Sequence, residues 1–455
     1  MELKQNINKN IFREYDLRGI YNKEIDVHDA YTIGRSFGTY IKQFNETKTI
    51  VGYDNRHSSP ELSEALIKGI TDSGMNVINL GLVTTPMYYY AKKLYNINTG
   101  IMVTASHNPR EYNGFKISFS SIGNAYGKLI SDFREFTEKL NFDSGNGTYE
   151  EKDIKKDYIK LLCNNIKLDK KIKVVVDCGN GTGSVIIKDI LDNLNIEYYP
   201  LYCESDGNFP NHHPDPAVKE NQKELAQKVV ELGYDFGFGI DGDADRVGIV
   251  DEKGNIIPSD LYMIIMYRNL NKNLKTRKAL FDVKCSRTLI DELKELNIEP
   301  LMYRTGASYT NMMMQKENID FGGEYSGHLF FRDKFLGFDD GIYAGLRILE
   351  ILSNSTKKLS ELLENINTYY STDELKATVT DENKFEIVEK IKQYCIDKKY
   401  KIIDIDGVRV EFEDSWALVR ASNTGPNLTV RFEAKTKKRL EELNKEFQDL
   451  IHSLT

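Results

Sequence analysis

Three times along this chain a short run of apolar and β-branched residues gives way to an amphipathic stretch and then to a second apolar run. From Lys48, KTIVGYD is followed by amphipathic residues from Pro60 to about Asp72 and then by MNVINLG. KIKVVVDCGNGTGSVIIKDILDNLNIEYYPL at 171–201 repeats that order, and so does KALFDVKCSRTLIDELKELNIEPLMYRTG at 278–306. Compact apolar runs flanking a helix-period stretch predict strand, helix and strand. Three α/β domains of related topology follow, each with a mixed or mostly parallel sheet.

At 455 residues the chain is too long for a single core. Polar stretches at 143–156, at the DEKGN turn of 251–255 and near 367–374 divide it into domains at 1–148, 149–253, 254–368 and 369–455. The last domain reads differently. A helical stretch at 383–396, several short alternating strands and a charged helix from Thr436 predict an α+β domain with an antiparallel sheet.

A net charge of -8 argues against nucleic acid or an anionic membrane as the main partner, so any anionic ligand must be held by a local cluster. The 5 cysteines are scattered, odd in number and without C-x-x-C spacing, which reads as reduced thiols, with neither disulfides nor zinc. No apolar run approaches a membrane span and the first residues carry no apolar signal core, so a cytoplasmic protein is expected.

Four loops carry chemistry. Gly100-Ile-Met-Val-Thr104 is a short apolar strand leading into Ala105-Ser106-His107-Asn108-Pro109, where Asn-Pro forces a turn and is expected to present an exposed serine hydroxyl at a strand end. Alone, such a serine reads as a turn cap. A Ser-His hydrolase is a weaker reading, because adjacent side chains seldom align as nucleophile and base, and no G-x-S-x-G elbow is present. The strand at 234–240 runs into Asp241-Gly242-Asp243-Ala244-Asp245-Arg246. Carboxylates at alternate positions of extended chain project to one side, so a hard divalent cation is the expected guest. An EF-hand is disfavoured, since Arg246 stands where that loop needs glycine and the flanks read as strands. Magnesium is preferred to calcium, because Arg246 beside the metal suits a phosphate oxygen in the shell.

Gly322-Gly-Glu-Tyr-Ser-Gly-His328 offers a carboxylate, a hydroxyl and an imidazole that suit neighbouring sugar hydroxyls, though a plain turn explains it equally well. Arg420-Ala-Ser-Asn-Thr-Gly-Pro426 gathers a guanidinium, hydroxyls, an amide and backbone N–H groups, the donor set a phosphate needs. The glycine-rich 179–183 segment lacks the Walker lysine and reads as tight strand-to-helix packing, and His212 and His213 read as structural.

In this order the four loops resemble those of the α-D-phosphohexomutase superfamily, and YDLRGI (15–20), NGFK (113–116), GNFPNHHPDP (207–216), DVKCSR (282–287) and GFDDGIY (337–343) look closest to its bacterial phosphomannomutase/phosphoglucomutase branch. The resemblance spans essentially the whole chain. It implies four domains around a central cleft, the last related to TATA-binding-protein-like α+β folds. It also implies a phosphoserine enzyme that interconverts hexose 1- and 6-phosphates, with Mg²⁺ as cofactor and hexose 1,6-bisphosphate as activator. Small sugar phosphates are then the partners. By similarity Ser106 is the phosphoryl carrier, and Asp241, Asp243 and Asp245 hold the metal together with a phosphoserine oxygen. Arg246 stabilises the phosphoryl group. Arg18, His107 and Lys116 line the reacting end, with Lys116 or a neighbour as acid/base. Tyr15, Lys284, Glu324, Ser326 and His328 face the sugar, and Arg420, Ser422, Asn423 and Thr424 the non-reacting phosphate.

Two departures bear on selectivity. Many relatives carry a histidine after Thr-Gly where this chain has Ala307, and a larger residue where it has Gly425. Alternatives are a glucosamine-phosphate mutase, against which Tyr325 argues, a sugar-phosphate-binding regulator, which need not keep Ser106 or the three aspartates, and a metal-dependent sugar phosphatase.

Overall fold

The structure, a computed structural model, describes residues 1–121, 123–423 and 425–455. Each repeat folds as a parallel strand pair with a helix between its members: Lys48–Tyr53, Ser59–Asp72 and Asn76–Leu82; Lys173–Asp177, Ile187–Asn193 and Glu197–Leu201; Lys278–Asp282, Arg287–Glu295 and Glu299–Tyr303. Local chemistry starts the helices. Pro60 lies in the first turn of Ser59–Asp72, and the Ser286 hydroxyl accepts from Thr288 N to open Arg287–Glu295.

Beside the first strand of each pair lies a third, parallel to it, which turns back into an antiparallel neighbour. These are Gly100–Val103 into Tyr112–Ser118, Phe236–Ile240 into Val247–Asp251, and Phe321–Gly323 into Leu329–Phe331. The loops around Ser106, at 241–246 and at 324–328 are therefore the same connection in three sheets. Each leaves the carboxyl end of a parallel strand, where open α/β sheets take their ligands.

Two edge strands reach past the divisions drawn from polarity. Tyr149–Glu151 pairs with Asn76–Leu82 of the first sheet, and Ile256–Ile257 with Val247–Asp251 of the second. Tyr149–Glu151 is half-exposed and polar and is held by its backbone ladder, so an apolar pattern could not reveal it.

The fourth sheet is antiparallel throughout, in the order Tyr370–Ser371, Asn427–Ala434, Ser415–Ala421, Val408–Glu411, Lys401–Ile403, with helices Lys384–Asp397 and Lys437–Leu454 against it. One apolar core runs without a break from Ile50 of the first domain to Leu359 of the third, whereas the fourth domain has its own, from Val379 to Ile451. It meets the third domain through a small cluster of Val283, Trp416 and Leu418. There Arg409 Nη1 donates to the carbonyls of Val283 at 2.6 Å and Cys285 at 2.8 Å. Among the described residues no helix is long and apolar enough to cross a membrane.

Candidate active site

Ser106 sits at the floor of a cleft of about 660 Å³ lined by all four domains. The exposed serine expected from the turn is instead 2% exposed, with Asp241 and Gly242 of the second domain packed on it. Its φ of 50° is left-handed, a conformation a non-glycine residue holds only when its surroundings enforce it. Arg56 supplies much of that enforcement. Its Nη1 donates to the carbonyls of Pro109 at 2.7 Å and Tyr112 at 3.1 Å, and its Nη2 to those of Ser106 at 2.7 Å and Asn108 at 2.6 Å.

The Ser106 hydroxyl donates to Asp241 Oδ2 at 2.8 Å. His107 Nδ1 lies 3.3 Å from the same oxygen, closer than adjacency in sequence suggested, yet Asp241 makes the shorter bond. Burial, followed by the charges of Arg246 and Arg18, holds the His107 pKa well below the usual histidine value, so the ring is neutral near pH 7.

Asp241, Asp243 and Asp245 are buried, and each offers one oxygen within 4.8 Å of the others. Oδ1 of Asp243 and Oδ1 of Asp245 have no hydrogen-bond partner, an arrangement that costs free energy unless a cation completes it. Lys116 lies across this triad, 2.7 Å from Asp243 Oδ2 and 2.5 Å from Asp245 Oδ2, and Arg246 Nε is 3.9 Å from Asp241 Oδ2. Burial, then the charges of Asp245 and Asp243, push Asp241 well above the usual carboxylate range. Burial also opposes ionisation of Asp243, but the Lys116 ammonium outweighs it and the pKa falls. The same two carboxylates outweigh burial at Lys116, whose pKa rises well above that of a free lysine, so it is held as a cation. Three buried carboxylates against two cations leave room for a metal ion, and the donor set, all oxygen, fits a hard one.

Thr85 and Thr104 hydroxyls donate to Asp243 Oδ2 at 2.7 and 3.3 Å. Gly242 rests on the serine loop: a Cβ there would lie 2.5 Å from the Ser106 carbonyl oxygen. Behind it, the glycine-rich 179–183 segment packs on this loop, with Thr182 N donating to Gly242 O at 2.8 Å. Gly242→Ala is therefore expected to fold, shift the serine loop and lower kcat by about a hundredfold. Steady-state kinetics beside a thermal melt checks this; a variant with normal kcat would show that the two loops do not fix each other.

Every other residue singled out from the sequence and described here lines the same cleft: Tyr15, Arg18, His107, Lys116, Lys284, Glu324, Ser326, His328, Arg420, Ser422 and Asn423, with Asp245 and Arg246. Asp241 and Asp243 lie beneath it, and Thr424 falls outside the described residues. Arg18 donates to Asp16 Oδ2 at 2.5 Å and Asn108 Oδ1 at 2.7 Å. Glu324 Oε1 accepts from Gly306 N at 3.1 Å and Thr310 Oγ1 at 2.6 Å, so this carboxylate shapes the neighbouring loop while facing the cleft. His328 Nε2 accepts from Arg246 Nε at 2.9 Å, with Nδ1 2.8 Å from Asp339 Oδ2, and so couples the second and third domains. Lys284 pairs with Glu374 at 3.1 Å, and Arg420 Nε donates to Asp406 at 2.9 Å.

Several cleft-shaping residues were not singled out. Lys384 Nζ donates to Ser422 O at 2.8 Å and holds the fourth loop from a helix. Of the two histidines read as structural, His212 pairs with Asp177 at 2.9 Å, while His213 lines the cleft. Adjacent histidines on extended chain point to opposite sides, the one signal that separates them.

Comparison with known proteins matches four successive stretches of the chain. Models of the phosphoglucomutase/phosphomannomutase alpha/beta/alpha domains I, II and III match residues 9–136, 156–254 and 258–369, and that of the C-terminal domain matches 374–450. A phosphomannomutase/phosphoglucomutase of Pseudomonas syringae pv. tomato is 42% identical over 433 residues, 95% of this chain and 93% of that protein. A phosphoglucomutase of Neisseria gonorrhoeae is 39% identical, covering 98% of each. The crystal structure of a phosphoglucomutase/phosphomannomutase family protein from Burkholderia thailandensis matches with a TM-score of 0.90 at 35% identity, covering 99% of this chain and 98% of that one.

Proposed function

The chain belongs to the phosphoglucomutase/phosphomannomutase family and is an enzyme of that mutase type, and from that premise we propose that it interconverts the 1- and 6-phosphates of mannose, glucose or both, through a phosphoserine at Ser106 and a 1,6-bisphosphate intermediate. The observation that carries this reading is the 2.8 Å contact between the Ser106 hydroxyl and Asp241, 135 residues apart, at the floor of a cleft to which all four domains contribute.

Phospho-Ser106 brings about -1.5 to -2 charges against three aspartates, which is tolerable only with a divalent ion between them. Asp241, Asp243 and Asp245, with a phosphoserine oxygen, would hold Mg²⁺, which when bound withdraws charge from the phosphoryl oxygens. Lys116, fixed as a cation, and Arg246 neutralise the charge that develops in transfer. In this state the neutral His107, rather than the Lys116 ammonium, can exchange a proton with Ser106 Oγ. Arg18 steadies the loop at Asn108. Tyr15, Lys284, Glu324, Ser326 and His328 take the sugar, and Arg420, Ser422, Asn423 and Thr424 the distal phosphate.

Transfer from Ser106 to the free hydroxyl makes the bisphosphate, which must turn so that its other phosphate returns to the serine. Hexose 1,6-bisphosphate would prime an unphosphorylated enzyme in the same way. The separate core of the fourth domain supports its rotation as the motion that frees the intermediate. A cytoplasmic location fits substrates of this class.

Coupled assays on mannose, glucose and glucosamine 1-phosphates, with Mg²⁺ and a trace of bisphosphate, test the reading. Conversion of mannose or glucose phosphate with little release of inorganic phosphate is expected, and chelation should abolish it. Inactivity on all three, or stoichiometric phosphate release, would overturn it. Ala307 and Gly425 line the cleft, so the ratio between the two hexoses is read from the same assay.

A further inference from the structure

A second cavity, of about 370 Å³, lies between the first and third domains. Lys92 and Lys93, at the end of helix Thr85–Leu94, line it together with Asn311 and Gln315 of helix Ala307–Lys316 and Arg332 beyond. No aspartate or glutamate lines it among the described residues, although acidic residues outnumber basic ones in the chain as a whole.

Lys92 is the unusual member. Of the buried lysines described, Lys116, Lys284 and Lys384 each pair with a carboxylate. Lys92 is 5% exposed, yet its ammonium makes one hydrogen bond, to the Ser120 carbonyl at 2.9 Å, and otherwise lies 5.8 Å from the ring centre of Tyr88. A buried ammonium with unfilled donors and, among the described residues, no carboxylate in contact is costly, and an anion in the cavity removes that cost. Arg332 is anchored by Nη1 to Met314 O at 2.7 Å, which turns one arm of its fork to the protein and leaves the other for a ligand. Burial, with Lys93 alongside, lowers the Lys92 pKa to about 7, as expected for an ammonium awaiting its anion.

We propose that this cavity is a second anion site, which takes a small phosphate ester through Lys92, Lys93 and Arg332, with Asn311, whose Oδ1 accepts from Gln315 at 2.8 Å, beside it. The volume suits a compact metabolite. The site is separate from the Ser106 floor, but Tyr89 lines both cavities, so an occupant bracing the first domain against the third also braces the catalytic cleft.

The test uses the full chain and pyridoxal 5′-phosphate as probe. Its aldehyde carbon forms a C=N bond with a neutral lysine amine as water leaves, and borohydride adds hydride to fix the adduct for peptide mapping. Lys92 should be labelled, with inorganic phosphate protecting it. Pyridoxal, which lacks the phosphate, should label it about tenfold more slowly, the worth of one charge-assisted contact. Arg332→Met should slow labelling similarly while keeping the reactive amine, and Ser106→Ala should leave it unchanged. Equal labelling by the two aldehydes, indifference to Arg332→Met, or reaction only at surface lysines would overturn the proposal.

Discussion

Replacing Ser106 with alanine is expected to leave a folded protein that accepts no phosphoryl group and has lost at least about a thousandfold of its mutase activity. The substitution leaves the restraints on the loop alone. Ser106 is held at φ 50°, and serine and alanine share the same Cβ penalty in that region, so the variant keeps the strain and loses the hydroxyl. The four carbonyls bound by Arg56 remain, and so does the loop. What disappears is the hydroxyl that lines the cleft and donates to Asp241, the oxygen proposed to carry the group. Intact mass after incubation with hexose bisphosphate reads the phosphorylation, the coupled assay reads turnover, and circular dichroism reads the fold. A variant that is still phosphorylated and active would remove Ser106 from the chemistry.

Why so much of this site could be read from the sequence follows from where its parts lie. The three repeats announce themselves by periodicity, because strands buried on both faces and helices packed over them impose different spacings. The triad is legible because 241, 243 and 245 are neighbours on one extended segment, and their mutual repulsion makes sense only with a cation. Other parts depend on contacts across the fold. Arg56 looks like any surface arginine in YDNRHS; its meaning lies in four carbonyl oxygens about fifty residues on, and carbonyls have no residue type. The burial of Ser106 comes with the 241–246 loop of the second domain packing on it, through Asp241 and Gly242, which the local turn chemistry of Asn-Pro cannot report. The edge strand Tyr149–Glu151 is invisible for the converse reason, since its pairing rests on the backbone ladder and on polar contact such as Asn79 to Tyr149, with no apolar pattern.

Lys116→Met should expose the charge arithmetic of the site. In the metal-free protein Lys116 is, among the described residues, the one ammonium in contact with both Asp243 and Asp245, and taking one partner from a buried ion pair typically costs about 3–5 kcal/mol. The variant is therefore expected to melt well below the parent in chelator. Mg²⁺ should then stabilise the variant more than the parent, because the cation fills a demand that Lys116 partly meets in the parent. The sign with pH is fixed by Asp243. Its folded pKa is depressed by Lys116, so the stability it contributes is present above the unfolded carboxylate value and lost as pH falls through the folded one. Without Lys116 that depression goes, so the gap between parent and variant in chelator should be widest near neutrality and narrow in acid. Melting curves across pH, with and without Mg²⁺, measure both effects. Turnover should fall by about a hundredfold even with Mg²⁺ present, since a fixed cation beside the transferring group is lost. An equal Mg²⁺ shift in parent and variant would show that Lys116 and the metal do not share these carboxylates, and the assignment of the triad as the metal site would then have to be withdrawn.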